Sequence, residues 1–152
     1  MMSKQLRSQI NIDATPERVW QVLSDFGSYP QWNPFIVSAE GEAEPDSRLV
    51  LRMQPVGARG VTLRPTVVEA TPGRRLRWVG RFGMPGIFDA EHLFTITRRD
   101  EGGVRLSQDE RFTGVLVPFM GRSLDRHTQP AFEAMNAALK HRAEQPAAAP
   151  HG

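Results

Sequence analysis

Cysteine is absent from the 152-residue chain. Its absence excludes disulfide bonds, thiolate metal sites and thiol nucleophiles, and it suits a reducing compartment, so we expect a cytoplasmic protein. Long apolar runs are scarce as well, and the first residues, MMSKQLRSQINI, hold none. The sequence therefore predicts neither a signal peptide nor a membrane span.

Familiar catalytic and metal-binding motifs are also missing. The chain has no G-x-S-x-G sequence, no phosphate-binding glycine loop and no metal signature. The only tyrosine, Tyr29, lies in a proline-rich connector, and His127, His141 and His151 show no ligand spacing with His92. We therefore predict no metal site and no cofactor.

Charge is not concentrated in any one stretch. The net charge is +2 and arginine outnumbers lysine, so the pI is near 9.7. The arginines are scattered at alternate positions of predicted strands, namely Arg75, Arg77, Arg81, Arg105 and Arg111. This pattern is typical of the solvated face of an antiparallel sheet, and we predict no nucleic-acid partner.

Helix signals follow a first predicted strand at residues 4–12. Asp13 or Thr15 can cap a helix, and Pro16 suits its first turn. The stretch FGSYPQWNPF comes next, and its two prolines and one glycine allow at most one further short helical turn. The apolar stripe of the first helix consists of Val19, Trp20, Leu23 and Phe26.

Six further strands and a long helix complete the predicted pattern. Two strands flank a polar loop in residues 36–55, and two hairpins with glycine-containing turns follow. Helical spacing of apolar residues then marks residues 118–145, where Pro130 predicts a kink or break. We predict an α+β fold: a seven-stranded antiparallel sheet, two short helices after strand 1, and a long C-terminal helix that leaves a cavity over the sheet. We predict one domain at residues 1–144 and a disordered tail at residues 145–152.

Matching of apolar faces predicts the register of both hairpins. In the hairpin that turns at ATPGR, we expect Val67 opposite Trp78, Leu63 opposite Phe82, and Glu69 opposite Leu76. In the hairpin that turns at RDEGG, we expect Ile96 opposite Leu106, Phe94 opposite Gln108, and His92 opposite Glu110. A shift of one residue would place Phe94 opposite Asp109 and lose the apolar match.

His92 is the polar member of the inward row of AEHLFTI. A carboxylate within about 4–6 Å favours the imidazolium, whereas burial opposes it. Two interpretations remain open. His92 and Glu110 form a structural hydrogen bond inside the core, or they line a ligand cavity as a polar anchor for a hydroxyl or carbonyl group.

Several stretches together resemble one family. They are ATPERVWQVLSDFGSYPQWNPF, TPGRRLRWVGRF, EHLFTI with GGVRLSQDERFTG, and FEAMNAALKHRAE. Over about residues 4–144 they resemble the START/Bet v 1-like (SRPBCC) superfamily, in its polyketide cyclase/dehydrase and lipid transport branch. The resemblance implies a helix-grip fold, in which the sheet curls around the long C-terminal helix with a hydrophobic cavity between them.

For function, the resemblance implies binding or transport of a small hydrophobic ligand (a lipid, polyketide or aromatic molecule) by a monomer or homodimer. The alternative is a polyketide cyclase/dehydratase-type enzyme that uses His92 and Glu110 as acid and base, and we place the non-catalytic binding protein first. A protein-interaction module is a third hypothesis, which an exposed apolar patch over the short helices would support. The predicted ligand contacts are Trp32, Leu51, Met53, Leu63, Trp78, Phe82, His92, Phe94, Gln108, Glu110, Leu124 and Phe132.

Overall fold

Eight strands form two antiparallel sheets in this computed structural model, which describes residues 3–145. The larger sheet has the order β1-β8-β7-β6-β5, and the smaller has the order β2-β3-β4. The strands are β1 (Ser3–Ile12), β2 (Ile36–Glu40), β3 (Val50–Met53), β4 (Val61–Leu63), β5 (Thr66–Thr71), β6 (Arg75–Phe82), β7 (Phe88–Arg98) and β8 (Val104–Thr113).

The predicted single seven-stranded sheet is wrong, because the chain changes strand partner at Pro65. Leu63, Val67 and Glu69 were expected on one strand of the ATPGR hairpin, but β4 pairs with β3, and β5 pairs with β6. Proline has no N–H to donate to a ladder, so a continuous strand is disfavoured there. The Pro65 carbonyl instead accepts from Leu49 N at 2.8 Å, which keeps the two sheets side by side.

The register of the last hairpin is confirmed. His92 lies opposite Glu110, and the two further predicted pairs of β7 and β8 are also present. In the other hairpin Val67 lies opposite Trp78 as predicted, but two pairs are wrong. A register shift between Val67 and Glu69 places Ala70, not Glu69, opposite Leu76, and Leu63 lies opposite Leu51 of β3 rather than Phe82.

The helices follow the sequence signals closely. α1 (Pro16–Ser24) begins after Thr15, whose Oγ1 accepts from the backbone N–H of Arg18, and a 3-10 helix follows at Phe26–Gln31. The C-terminal helix consists of α2 (Val117–Ser123), a π-helical turn (Leu124–Thr128) and α3 (Gln129–Glu144). Pro130 lies in the first turn of α3, directly after the π-helical turn. The backbone remains helical throughout, so the predicted kink or break takes the form of a π-helical irregularity.

The architecture is α+β, with an antiparallel sheet and a long C-terminal helix in an arrangement consistent with a helix grip. α3 packs against β1 and β8, and its Phe132, Met135 and Leu139 are fully buried. Among residues 3–145, no helix is both long and apolar enough to cross a membrane. The predicted disordered tail at 145–152 lies outside the described residues except for Gln145.

The end of α3 is fastened to the loop after β1 by Glu144. Its carboxylate accepts from Lys140 Nζ and, at 2.8 Å, from the backbone N–H of Asp13. The hydrogen bond from Lys140, followed by that from Asp13, lowers the pKa of Glu144 from its ordinary value of 4.5. Because the lowered pKa belongs to the folded state, this contribution to stability is complete above pH 4.5 and is lost as pH falls through the folded pKa.

Glu144→Gln should therefore lower the melting temperature at neutral pH, and the difference from the unaltered protein should shrink in acid. Thermal unfolding of both proteins across a pH series measures this difference. Glu44→Gln, which changes an exposed carboxylate on the β2–β3 loop, is the matched control. A difference that is the same at every pH would show that Glu144 acts through packing and not through its charge.

Candidate functional site

A cavity of about 390 Å³ lies between the concave side of the sheets and the α2–π segment. We call it the main cavity. Leu116, Met120 and Leu124 cover it from the helical side. Its other apolar lining consists of Phe35, Met53, Leu63, Phe82, Phe88 and Phe112, with Pro55, Ala58 and Val61 towards the β3–β4 loop.

A second cavity, of about 280 Å³, lies where β4 and β6 fail to pair. We call it the side opening. Met53, Leu63, Phe82 and Glu110 line both cavities, so the two adjoin. The side opening follows from the change of partner at Pro65: in a continuous strand Leu63 would have faced Phe82 across a hydrogen-bonded ladder and closed this gap.

Glu110 is the one buried charged side chain that reaches the main cavity in the described part of the chain. It projects from β8 and is only 6% exposed. The other polar side chains of the lining are exposed or half-buried and therefore belong to the mouth of the cavity. They are Arg59, Ser123, His127 and Thr128.

Behind Glu110 lies His92, which is 1% exposed. The Nδ1 atom of His92 lies 2.9 Å from Oε2 of Glu110. The oxygen lies off the direction of an N–H bond at Nδ1, so the contact is at ion-pair distance without the alignment of a hydrogen bond. Three aromatic rings enclose the imidazole, with centroids 4.7–5.2 Å from its own: Trp78, Phe94 and Phe132.

Backbone carbonyls, which can only accept, determine the direction of the hydrogen bonds beyond His92. Gln108 Nε2 donates to the Phe132 carbonyl at 3.4 Å and to Asn136 Oδ1 at 2.7 Å. Asn136 Nδ2 donates to Ser8 Oγ, whose hydroxyl donates to the Gln108 carbonyl. Gln108 therefore presents its acceptor, Oε1, to His92 Nε2 at 2.9 Å. That ring nitrogen must carry a hydrogen.

This order of hydrogen bonds determines how many protons the His92–Glu110 pair holds. With a hydrogen on Nε2, a neutral imidazole would place an unprotonated Nδ1 only 2.9 Å from a carboxylate oxygen. Two unprotonated atoms at this distance repel each other. The pair therefore shares one further proton, carried on Nδ1 as an imidazolium or on Glu110 as a carboxylic acid. The site can thus offer a proton, or accept one, at a carboxyl group beside an apolar cavity.

The structure divides the predicted ligand contacts into three groups. Met53, Leu63, Phe82, Glu110 and Leu124 line the main cavity, and Trp78 lines the side opening. Trp32 is half-buried, packs against the ring of Tyr29 at 5.1 Å, and lines neither cavity. Five others are buried in the core and also line neither: Leu51, His92, Phe94, Gln108 and Phe132.

Sequence reasoning missed several residues of the site. Asn136 is 2% exposed and completes the hydrogen bonds of Gln108. The sequence pattern does indicate Asn136, since it follows Phe132 by four residues and is the polar member of the buried face of α3. Phe88 and Phe112 were also missed, although strand alternation places them in the inward rows of β7 and β8. Phe35, Leu116 and Met120 were missed because the geometry of a loop and of the α2 segment brings them to the cavity.

Two other features of the molecule do not form the site. A larger concavity, of about 780 Å³, lies near the start of α1 and the β5–β6 turn, and its lining is mostly polar, with Glu17, Arg74 and Arg98. The single tyrosine, Tyr29, is fully buried and donates to the Leu23 carbonyl, and burial raises its pKa. Within residues 3–145, no group of three histidine, aspartate or glutamate side chains could hold a metal ion.

Solved structures with the same fold span a range of proteins. A START superfamily protein from Mycobacterium smegmatis is 22% identical, with a TM-score of 0.73 over 93% of this chain and 97% of that chain. Hypothetical protein jhp0584 from Helicobacter pylori is 15% identical, with a TM-score of 0.77 over 93% and 88% of the two chains. At these identities the likeness shows the fold alone.

The di-domain ARO/CYC protein BexL from the BE-7585A biosynthetic pathway is 14% identical, with a TM-score of 0.75 over 95% of this chain and 51% of that chain. The chain thus spans about half the length of the di-domain protein. No curated protein sequence matches it at a significant level. The family profile described as polyketide cyclase / dehydrase and lipid transport matches residues 3–144. The resemblance stated above is confirmed, and the chain belongs to this family.

Proposed function

We propose that the protein binds a small, largely apolar molecule in the main cavity, with Glu110 as the polar contact. The observation that carries this proposal is the position of Glu110, a buried carboxyl group that opens onto a floor of aliphatic and aromatic side chains. Sites for small molecules commonly combine apolar walls with a few polar groups, in volumes of roughly 300–1,000 Å³. The main cavity, at about 390 Å³, falls within that range.

The shared proton defines which ligand groups suit Glu110. As a carboxylate it accepts a hydrogen bond from a hydroxyl group, and as a carboxylic acid it donates one to a carbonyl oxygen. A ligand with either group and an apolar body therefore fits the cavity. An apolar molecule with neither group would leave the buried carboxyl without a partner on the cavity side, which costs about 1–3 kcal/mol for a buried polar group.

Binding of the neutral fluorescent probe N-phenyl-1-naphthylamine tests the location. The double change Leu63→Trp and Met120→Trp would place two indole rings in the main cavity from half-buried positions. It should weaken probe binding at least about tenfold, or about 1.4 kcal/mol. Val68→Trp, at an exposed position of β5, is the matched control. Equal affinity in all three proteins would place the probe elsewhere and refute the proposed site.

Native mass spectrometry of the freshly purified protein tests the ligand class. We expect a co-purified molecule with an apolar body and a hydroxyl or carbonyl group, which is released on denaturation. The tryptophan double variant should carry much less of it. A bound molecule with several charges, retained equally by that variant, would contradict an apolar ligand in this cavity.

A second candidate function is acid–base catalysis of the cyclase or dehydratase type, which the shared proton favours. In that reaction Glu110 would exchange a proton with the substrate, because it reaches the cavity, and His92 would hold the proton from behind. Turnover of a poly-β-ketone substrate that is lost in Glu110→Gln, while binding of the neutral probe is kept, would support catalysis. Loss of both turnover and probe binding in Glu110→Gln would support the binding function and not catalysis.

A further inference from the structure

Exposed apolar side chains are concentrated around the mouth of the main cavity. Eight large apolar residues are exposed in the described part of the chain, and only Val68 lies elsewhere. Phe119, Met84 and Val115 are the most exposed, at 84%, 74% and 64%. None of the eight lies on α1 or the 3-10 helix, where an interaction module was expected to show its patch. We call the other seven the rim patch: Val56, Val61, Met84, Ile87, Val115, Leu116 and Phe119.

Backbone hydrogen bonds join the segments that carry the rim patch. The N–H groups of Val115 and Leu116 donate to the carbonyls of Gly86 and Ile87, each at 3.1 Å. These bonds fasten the β6–β7 loop to the start of α2. The N–H of Val56 donates to the His127 carbonyl at 2.9 Å, which fastens the β3–β4 loop to the π-helical turn. The patch therefore lies on one continuous border.

The border carries positive charge only. Residues 54–63, 82–88 and 114–124 contain two arginines, Arg59 and Arg122, and no acidic residue. Arg122 follows Phe119 by three residues on α2, so both exposed side chains lie on the same side of the helix.

Two carboxylates lie next to the border, but both have partners of their own. Asp89 Oδ1 lies 4.0 Å from Arg81 Nε, and Asp125 pairs with Lys4 Nζ at 2.9 Å. Neither therefore offsets the charge of Arg59 and Arg122 fully.

We propose that the rim patch docks on an anionic lipid membrane. Protruding apolar side chains beside cations suit the boundary between headgroups and acyl chains. Residues 82–88 and 114–120 contain no polar side chain, whereas a specific protein interface carries about one hydrogen bond per 100–200 Å². Docked in this way, the mouth of the main cavity would face the acyl chains, and an apolar molecule could enter without crossing water.

Flotation of the purified protein with vesicles tests the docking. We expect the protein to float with vesicles of equimolar phosphatidylcholine and phosphatidylglycerol, and to float less with phosphatidylcholine alone or in high salt. Phe119→Ser should lower the partition coefficient at least about tenfold, since it removes the most exposed aromatic side chain from the face that would enter the membrane. Arg59→Glu with Arg122→Glu should lower partition onto the anionic vesicles by a similar factor and leave partition onto phosphatidylcholine unchanged.

The controls are changes of the same kind elsewhere on the surface. Val68→Ser on β5 and Arg105→Glu on β8 are at exposed positions, and both should leave flotation unchanged. Absence of flotation in the unaltered protein would overturn the proposal, as would equal losses in Phe119→Ser and Val68→Ser. A concentration-dependent dimer that Phe119→Ser abolishes, without any flotation, would assign the rim patch to self-association instead. None of these outcomes depends on ligand binding in the main cavity.

Discussion

His92→Phe should destabilise the protein by about 3 to 5 kcal/mol, the usual cost of removing one partner from a buried ion pair. His92 is fully enclosed, and its two ring nitrogens face Gln108 Oε1 and Glu110 Oε2, each at 2.9 Å. Phenylalanine fills the space among the aromatic neighbours but donates no hydrogen bond. Glu110 would then stay buried without the ring nitrogen that faces it, and the Gln108 acceptor would lose its donor.

A double-mutant cycle separates the value of the pair from the cost of an orphaned partner. Glu110→Leu alone should also destabilise, because it leaves His92 Nδ1 unpaired in an aromatic enclosure. The double variant His92→Phe with Glu110→Leu should recover most of the loss, since apolar replacement of a buried pair is often neutral or stabilising. Urea unfolding of all four proteins gives the coupling energy, which should be at least about 2 kcal/mol. Additive losses would mean that the two side chains do not act as a pair.

The position of the hydrogen on His92 can be measured directly by NMR. Nitrogen chemical shifts of His92 should report a hydrogen on Nε2 in the unaltered protein and also in Glu110→Leu, because Gln108 presents only an acceptor there. A bare Nε2 in either protein would contradict the order of hydrogen bonds from Ser8 to His92. If the double variant is stable yet no longer binds a hydroxyl- or carbonyl-bearing ligand, the pair is retained for recognition and not for stability.

Phe132→Ala should cost about 3 to 5 kcal/mol, as do other truncations of buried aromatic residues. Phe132 is fully buried on α3, with ring centroids 5.4 Å from Phe35 and 5.2 Å from His92. The space left behind cannot collapse easily, because the sheet lies on one side and the helix on the other. A loss of this size is a large share of the roughly 5–15 kcal/mol that stabilises a typical domain.

The matched control for this variant is Phe119→Ala on α2. Phe119 is 84% exposed, so its truncation should change the unfolding free energy by no more than about 0.5 kcal/mol. Since Phe35 also lines the main cavity, Phe132→Ala should enlarge that cavity and admit a bulkier apolar probe. A loss below about 1 kcal/mol would show that α3 moves in to fill the space.

The last hairpin could be predicted from the sequence because its two strands alternate without interruption. Buried and more exposed residues alternate along β7 and β8, and Ile96 lies opposite Leu106, so a slip of one residue would have moved the buried row to the outer face. The pair His92–Glu110 followed from that register alone. The hairpin of β5 and β6 was harder, because one extra residue at Val68 shifts the pairing beyond it, and a bulge of this kind leaves no mark in the alternation.

The division into two sheets and the shape of the cavity depend on distant parts of the chain. Pro65 disfavours a continuous strand, but only the packing of the segment around Leu49 shows where the chain changes partner. His92 and Gln108 share the concave face with Glu110, as predicted, and Phe132 of α3 packs over them, yet none of the three lines the cavity. The distance between helix and sheet decides which of these side chains a ligand can reach, and alternation along a strand does not encode it.

The side opening affects which feature of a ligand the protein can select. A closed pocket selects ligands by length, because both ends of the ligand meet a wall. Here the main cavity and the side opening adjoin at Met53, Leu63, Phe82 and Glu110, so a long molecule could extend outward on both sides of that junction. The protein would then discriminate by the distance from the end of the molecule to its hydroxyl or carbonyl group, and chain length itself would matter little.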